Sequence, residues 1–238
     1  MTGASAARRS TGTHAPSTVL FVCTANISRS PYAERRARQV LPDADAGITF
    51  ASAGTPGYPG RGMDPAMAEL LVARGGDASG HVSRAVDEEI LRRVDLVVVF
   101  EFAHHMRLLD SFPRHRHVIL GLQQAARAVR ALGASRAEDT AGSDALDRVD
   151  RLVSVAGQNS MSYDVEDPYR RGPKAAQDCA DEIDQLLDVV LPFLAGREVP
   201  RLAVPPLAVP PLAVPTEGTR ALRPAWRLGR SAPRRALP

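Results

Sequence analysis

The run Asp95-Leu96-Val97-Val98-Val99-Phe100 is apolar at every position after the first, as in a strand buried on both faces. Such a strand needs helices above and below it, which points to a largely parallel sheet, and the rest of the chain supplies the alternation. Further strands are expected at Thr18–Val22, Ile48–Ser52 and His117–Leu120. Helices are expected at Tyr32–Val40, from Asp64-Pro65 to Arg74, at Glu101–Leu109, over 122–132, over 145–156 and at Pro173–Leu194. In the helix over 145–156, Leu146, Val149, Leu152 and Val153 should share a buried face. The fold class that follows is α/β, a three-layer sandwich around a central parallel four-stranded sheet, with its site at the carboxyl ends of the strands.

The 238 residues and 44% hydrophobic content suit one domain with tails. Residues 1–17 are small and polar, and residues 200–238 repeat Leu-Ala-Val-Pro before an arginine-rich tip, so both are expected to be disordered. The domain proper is then 18–199, with a helical insertion at about 121–157. The net charge of +3 divides unevenly: the two ends carry +2 and +6, leaving about −5 for residues 18–199. A basic balance confined to the tails does not argue for nucleic acid as partner. No apolar run approaches the ~18 residues that span a bilayer, and no signal peptide follows Arg8-Arg9, so a cytoplasmic location without membrane insertion is expected. Two cysteines, Cys23 and Cys179, are too few for a disulfide framework.

Chemistry concentrates where the first strand ends. The segment Val19-Leu20-Phe21-Val22-Cys23-Thr24-Ala25-Asn26-Ile27-Ser28-Arg29-Ser30-Pro31 places an arginine six residues after a cysteine, then a serine cap with proline at the first helical position. The Cys-x5-Arg spacing says little alone; its setting at the edge of a parallel sheet gives it meaning. Backbone N–H groups of residues 24–29 can ring one phosphoryl group there, with the helix dipole aimed at it. A free thiol is mostly protonated near neutrality. A reactive Cys23 therefore needs those N–H groups, the helix terminus, Arg29 and the Ser30 hydroxyl to favour its thiolate. Phosphoryl transfer rests on charge placed around the equatorial oxygens, and a guanidinium can bind two of them at once. Nothing in this chemistry calls for a metal or cofactor.

Val19 to Glu34, Ser52-Ala53-Gly54-Thr55, Asp77-Ala78-Ser79-Gly80-His81 and Asp164-Val165-Glu166-Asp167-Pro168-Tyr169 resemble, in this order, the low-molecular-weight protein tyrosine phosphatase family. The resemblance covers about residues 18–195 and implies a flavodoxin-like fold. It implies Cys23 as nucleophile, Arg29 as clamp and Asp167 as general acid and later general base. Thr24, Ala25, Asn26, Ile27, Ser28 and Ser30 would surround the phosphoryl group, with Asn26 holding the strained turn. Ser30, Ser52 and His81 would support the loop, and Tyr58 and Tyr169 would wall the substrate ring. The implied substrate is a phosphotyrosine protein or small aryl phosphate, and the bacterial members imply a cognate tyrosine kinase as partner; no partner for the tail is implied.

Several departures and alternatives stand beside the resemblance. Ala25 occupies a position usually held by glycine; should it need a positive φ, strain of order 1 kcal/mol would lower activity. Ser28 replaces a second loop cysteine, removing a thiol that could trap Cys23 as a disulfide. Arg170 stands where some relatives have an aromatic residue, which favours acidic or more polar substrates. The helices between Gly121 and Gly157 are expected to cover the acid loop. Taken alone, Asp167-Pro168 can be a turn, His81 a cap and Tyr58 a packing residue. The competing functions are an arsenate reductase dependent on a low-molecular-weight thiol and a non-catalytic phosphoryl-binding module.

Overall fold

The computed structural model describes residues 16–42, 47–133, 144–156, 164–197 and 199. The expected C-terminal tail lies outside the described residues, as does the N-terminal one except for Pro16 and Ser17.

Four strands form one parallel sheet in the order β2-β1-β3-β4, comprising β1 (Ser17–Cys23), β2 (Ile48–Gly54), β3 (Leu96–Val99) and β4 (Ile119–Gly121). Ser17 already pairs with Ile48, so β1 starts inside the expected tail. Strand β2 runs two residues beyond expectation because Ala53 and Gly54 keep register with Val22 and Cys23. The helices are α1 (Arg29–Val40), α2 (Pro65–Ala73), α3 (Glu88–Leu91), α4 (Phe102–Ser111), α5 (Leu122–Gly133), α6 (Ala145–Ala156) and α7 (Pro173–Leu194). A 3-10 helix, Pro113–Val118, precedes β4. Neither α3 nor this 3-10 turn was legible as an apolar period, each being a single short segment. Among the described residues no helix is long and apolar enough to cross a membrane.

Alternate side chains of β1 enter opposite cores, as a pleated strand requires. Val19, Phe21 and Cys23 join residues of α1, α2, α5, α6 and α7 on one face, while Leu20 and Val22 meet Leu91 of α3 and Leu108 of α4 on the other. These layers make the three-layer α/β sandwich expected. Phe21 stacks on Phe50 with ring centroids 6.2 Å apart. Helix α7 buries the stripe Ala176, Cys179, Ile183, Leu186, Leu187 and Val190. Its Asp184 accepts hydrogen bonds from Tyr32 (3.1 Å) and Arg36 (3.1 Å) on α1, and from Arg74 (2.7 Å) just past α2.

Three expectations are corrected. Ser30 is no cap: α1 begins two residues earlier than expected, at Arg29, its N-cap Ser28 makes no side-chain capping bond, and Pro31 sits third in the helix. Leu146 is 44% exposed, and the buried face of α6 is instead Arg148, Val149, Leu152 and Ala156. Finally, α5 and α6 are no mere cover: Leu122, Ala125, Val129, Val149 and Leu152 belong to the main core. Their link to the acid loop is Gln123, which reaches the Asp164 carbonyl at 3.3 Å and Glu182 at 2.6 Å.

Candidate active site

The sheet order reverses direction at β1, which lies between β2 and β3. In such sheets the crevice beyond the carboxyl ends of the central strands is the natural binding place. Cys23 is the last residue of β1 and Arg29 the first of α1, so residues 24–28 form the loop across this crevice. The loop's carbonyls are held from outside: Cys23 O accepts from Thr55 N (2.8 Å), Thr24 O from Gly57 N (2.9 Å) and Ile27 O from Asp64 N (2.7 Å). Among the described residues, the N–H groups of residues 24–28 donate to no protein acceptor. Carbonyls tied back and N–H groups left free make a concavity suited to an anion. Gly54 permits this close packing, since a Cβ there would lie 2.8 Å from both Thr24 O and Gly57 Cα.

Asn26 carries the loop's positive φ, 57°. Ala25 has no positive φ, so the strain expected from it does not arise. Asn26 is fully buried and bonded from every side. Its Nδ2 donates to Ser30 Oγ (3.0 Å) and Ser52 Oγ (2.8 Å), while its Oδ1 accepts from Arg84 N (3.0 Å). Its carbonyl accepts from His81 Nε2 at 2.7 Å, which fixes the tautomer of that ring. Ser30 Oγ lies 3.0 Å from Cys23 Sγ and 3.2 Å from Ala53 O. Ser52 Oγ donates to Glu34 Oε2 at 2.5 Å. Asn26 and Ser30, expected to surround the substrate, have side chains sealed beneath the loop, where they hold its shape. Ser52 and His81 sit where support was expected.

Arg29 is 1% exposed. Its Nη1 donates to Glu101 and, at 2.7 Å, to the Val165 carbonyl. Among the described residues its Nε has no partner, and its Nη2 has Asp167 Oδ2 at 3.4 Å. Nε and Nη2 share one edge of the guanidinium plane, so the tied Nη1 leaves a two-pronged donor edge available. Burial works against the charged guanidinium, but Cys23 first, then Asp167 and Glu101, outweigh it and raise its pKa.

The acid loop is stapled to the sheet. Val165 N donates to Phe100 O at 2.7 Å, Val165 is buried, and Asp164 Oδ1 accepts from Phe102 N at 2.7 Å, capping α4 from a distance. Of the loop's three carboxylates, Asp164 serves that cap and Glu166 pairs with Arg171 at 2.8 Å. Asp167 alone lines the cleft with Cys23. This cleft, of about 270 Å³, is also lined by Thr24, Ala25, Ile27, Ser28, Arg29, Tyr58, Arg61 and Tyr169. Tyr58 and Tyr169, the residues expected to wall the substrate ring, thus both line the cleft, Tyr58 being 54% exposed.

Glu101 and His104 escaped the sequence reading. They look like an ordinary helix start, and their role appears only because β3 lies beside β1. His104 Nε2 lies 2.8 Å from Thr24 Oγ1, and its Nδ1 is buried without a partner. Burial, followed by the nearby Arg29 charge, depresses its pKa to about 3, so the ring is neutral at physiological pH. The pKa of Cys179, a buried residue of the main core, is pushed up to about 12 by burial. Among the described residues no three His, Cys, Asp or Glu side chains group to hold a metal ion.

A family model described as low molecular weight phosphotyrosine protein phosphatase matches residues 18–131. Low molecular weight protein-tyrosine-phosphatase of Streptomyces coelicolor is 33% identical over 169 residues, 70% of this chain and 86% of that protein. The chain belongs to the low molecular weight phosphatase family. Within it, the Salmonella typhi protein Wzb is 33% identical over 102 residues, 43% of this chain and 66% of Wzb, just under two thirds of that relative. A solved structure of the family, the phosphatase of T. tengcongensis, superposes with TM-score 0.54 at 25% identity, covering 74% of this chain and 97% of that one. The family model ends at Ala131, so the phosphatase family match through it includes Cys23, Arg29, Glu101 and His104 but stops short of Asp167.

Proposed function

We propose that the protein hydrolyses phosphotyrosine in proteins, and aryl phosphates generally, through a phosphocysteine on Cys23. The observation that carries this reading is the guanidinium of Arg29. Glu101 and Val165 hold it by Nη1, and Arg29 lines the same cleft as Cys23 and Asp167.

The thiolate of Cys23 attacks phosphorus in line, and the S–P bond forms as the P–O bond to the aryl group breaks. Arg29 and the free loop N–H groups carry the charge on the equatorial oxygens, where preorganised donors stabilise the transition state best. Asp167, protonated for this step, gives its proton to the departing phenolate oxygen. As a carboxylate it then takes a proton from water, whose oxygen attacks phosphorus. The S–P bond breaks, inorganic phosphate leaves, and the thiolate is restored. The Ser30 hydroxyl, 3.0 Å from the sulfur, donates to the thiolate before it attacks and again as it leaves phosphorus.

Hydrolysis of para-nitrophenyl phosphate by wild type, Cys23→Ser and Asp167→Asn tests the assignment. Cys23→Ser should abolish turnover, and Asp167→Asn should lower kcat by about 10² to 10⁴-fold. Arsenate reduction with a low-molecular-weight thiol in place of phosphatase activity would support the reductase, and phosphate binding without turnover of any kind would support the binding module.

A further inference from the structure

We propose that Arg61 and Arg170 make the enzyme selective for phosphotyrosines flanked by acidic residues. The proposal rests on the phosphotyrosine reading above and names the class of phosphoprotein that this site serves.

Arg61 lines the cleft beside Tyr58, and its side chain is exposed. Its backbone is anchored on both sides, since Arg61 N donates to Ser83 Oγ (2.9 Å) and Arg61 O accepts from Ser83 N (2.8 Å). Ser83 Oγ in turn donates to the Tyr58 carbonyl at 2.6 Å. The aromatic wall and the arginine are thus one braced unit. Arg170 belongs to the other wall. Its Cζ lies 5.1 Å from the centroid of the Tyr169 ring, and its φ is 60°. A guanidinium stacked on an aromatic face keeps its in-plane N–H edge for a carboxylate, and stacking removes much of the freedom that binding would otherwise cost.

Neither arginine pairs with a carboxylate among the described residues. Other arginines do: Arg171 holds Glu166, Arg29 holds Glu101, Arg74 holds Asp181 and Asp184. With the tyrosyl ring between Tyr58 and Tyr169, the residues on either side of it in the substrate chain pass Arg61, which lines the cleft, and Tyr169, on whose ring Arg170 is stacked. The body of the protein, residues 18–199, carries about −5, so its net charge does not draw an acidic substrate and the attraction must be local. Two free guanidiniums at the rim of an acidic body discriminate by charge rather than adding general affinity. Attraction of the phosphate dianion alone would raise kcat/KM for every phosphotyrosine substrate alike. Selection for acidic flanks shows instead in a ratio.

The test compares two phosphotyrosine peptides that differ only in Glu or Gln on both sides of the phosphotyrosine, with kcat/KM measured at low salt. Wild type should favour the acidic peptide about fivefold, the size expected for two solvent-exposed ion pairs, mostly through KM. The preference should fade as salt screens the pairs. The double variant Arg61→Glu, Arg170→Glu should invert the ratio. A wild-type ratio near one, or a ratio unchanged in the double variant, would overturn the proposal while leaving phosphatase activity intact. Absence of wild-type turnover on both peptides and on para-nitrophenyl phosphate would instead overturn the phosphatase reading, and the proposal with it.

Discussion

At the scale of single residues, the site depends on side chains that hold other side chains. Glu101 never lines the cleft, yet it fixes the end of Arg29 that does not face it. Glu101→Gln keeps the shape and removes the charge. It should lower kcat/KM by about 10²-fold through a misplaced clamp, with the Arg29 guanidinium displaced in a structure of the variant. His104 is the second such residue. Because burial depresses its pKa to about 3, its ring resonances should not titrate between pH 5 and 8, which NMR can follow directly. The sign for stability follows. Below about pH 6.5 the unfolded chain binds a proton at His104 that the folded chain refuses, so stability falls as pH falls toward 3. This group adds a slope of about 1.4 kcal/mol per pH unit in that window. Urea unfolding of wild type should lose about 2 kcal/mol more between pH 6.5 and 5 than His104→Asn does; parallel losses would contradict it.

At the scale of elements, the loop after β1 owes its shape to segments distant in sequence. Gly54 at the end of β2 leaves room for the Thr24 carbonyl, and Gly54→Ala would bring a Cβ to 2.8 Å of it. That variant should lose stability by about 1–3 kcal/mol through overpacking and lose phosphatase activity along with it, readable by thermal melt and aryl phosphate turnover. Asp164 caps α4 from the acid loop. Asp164→Ala should cost about 1 kcal/mol and lower kcat more than the loss of the cap alone implies, since the same contact steadies the loop that carries Asp167. What was legible here followed from local chemistry. Asp64-Pro65 announced α2 and does cap it, Asp64 Oδ1 accepting from Met67 N at 3.3 Å. Ser30-Pro31 had the same look and misled, because the Ser30 hydroxyl is spent on Cys23 and Ala53. A local pattern cannot reveal that a long-range partner has claimed the same oxygen.

At the scale of the whole molecule, the order β2-β1-β3-β4 brings Cys23, the Glu101 turn and the acid loop to one edge. Strand existence was legible in the all-apolar Leu96–Phe100 run, and α7 in its stripe from Ala176 to Val190. The neighbourhood of β1 and β3 was not, since pairing is a tertiary choice that leaves no period in either strand. Glu101 and His104 stayed hidden for that reason, whereas Cys23 and Arg29 share one short loop and could be read together. We infer that residues 18–199 form the working unit, as every residue described above in the site lies within them. A chain cut after residue 199 should keep the melting temperature and kcat/KM of the full protein on aryl phosphate.

The central assignment is the covalent step at Cys23, and rapid-quench kinetics with para-nitrophenyl phosphate tests it most directly. Phosphocysteine chemistry predicts a burst of nitrophenolate equal to the enzyme concentration where hydrolysis of the intermediate is the slower step, with phosphate recovered on Cys23 from the acid-quenched protein. Release of phosphate in step with nitrophenolate, and turnover that survives Cys23→Ser, would contradict it.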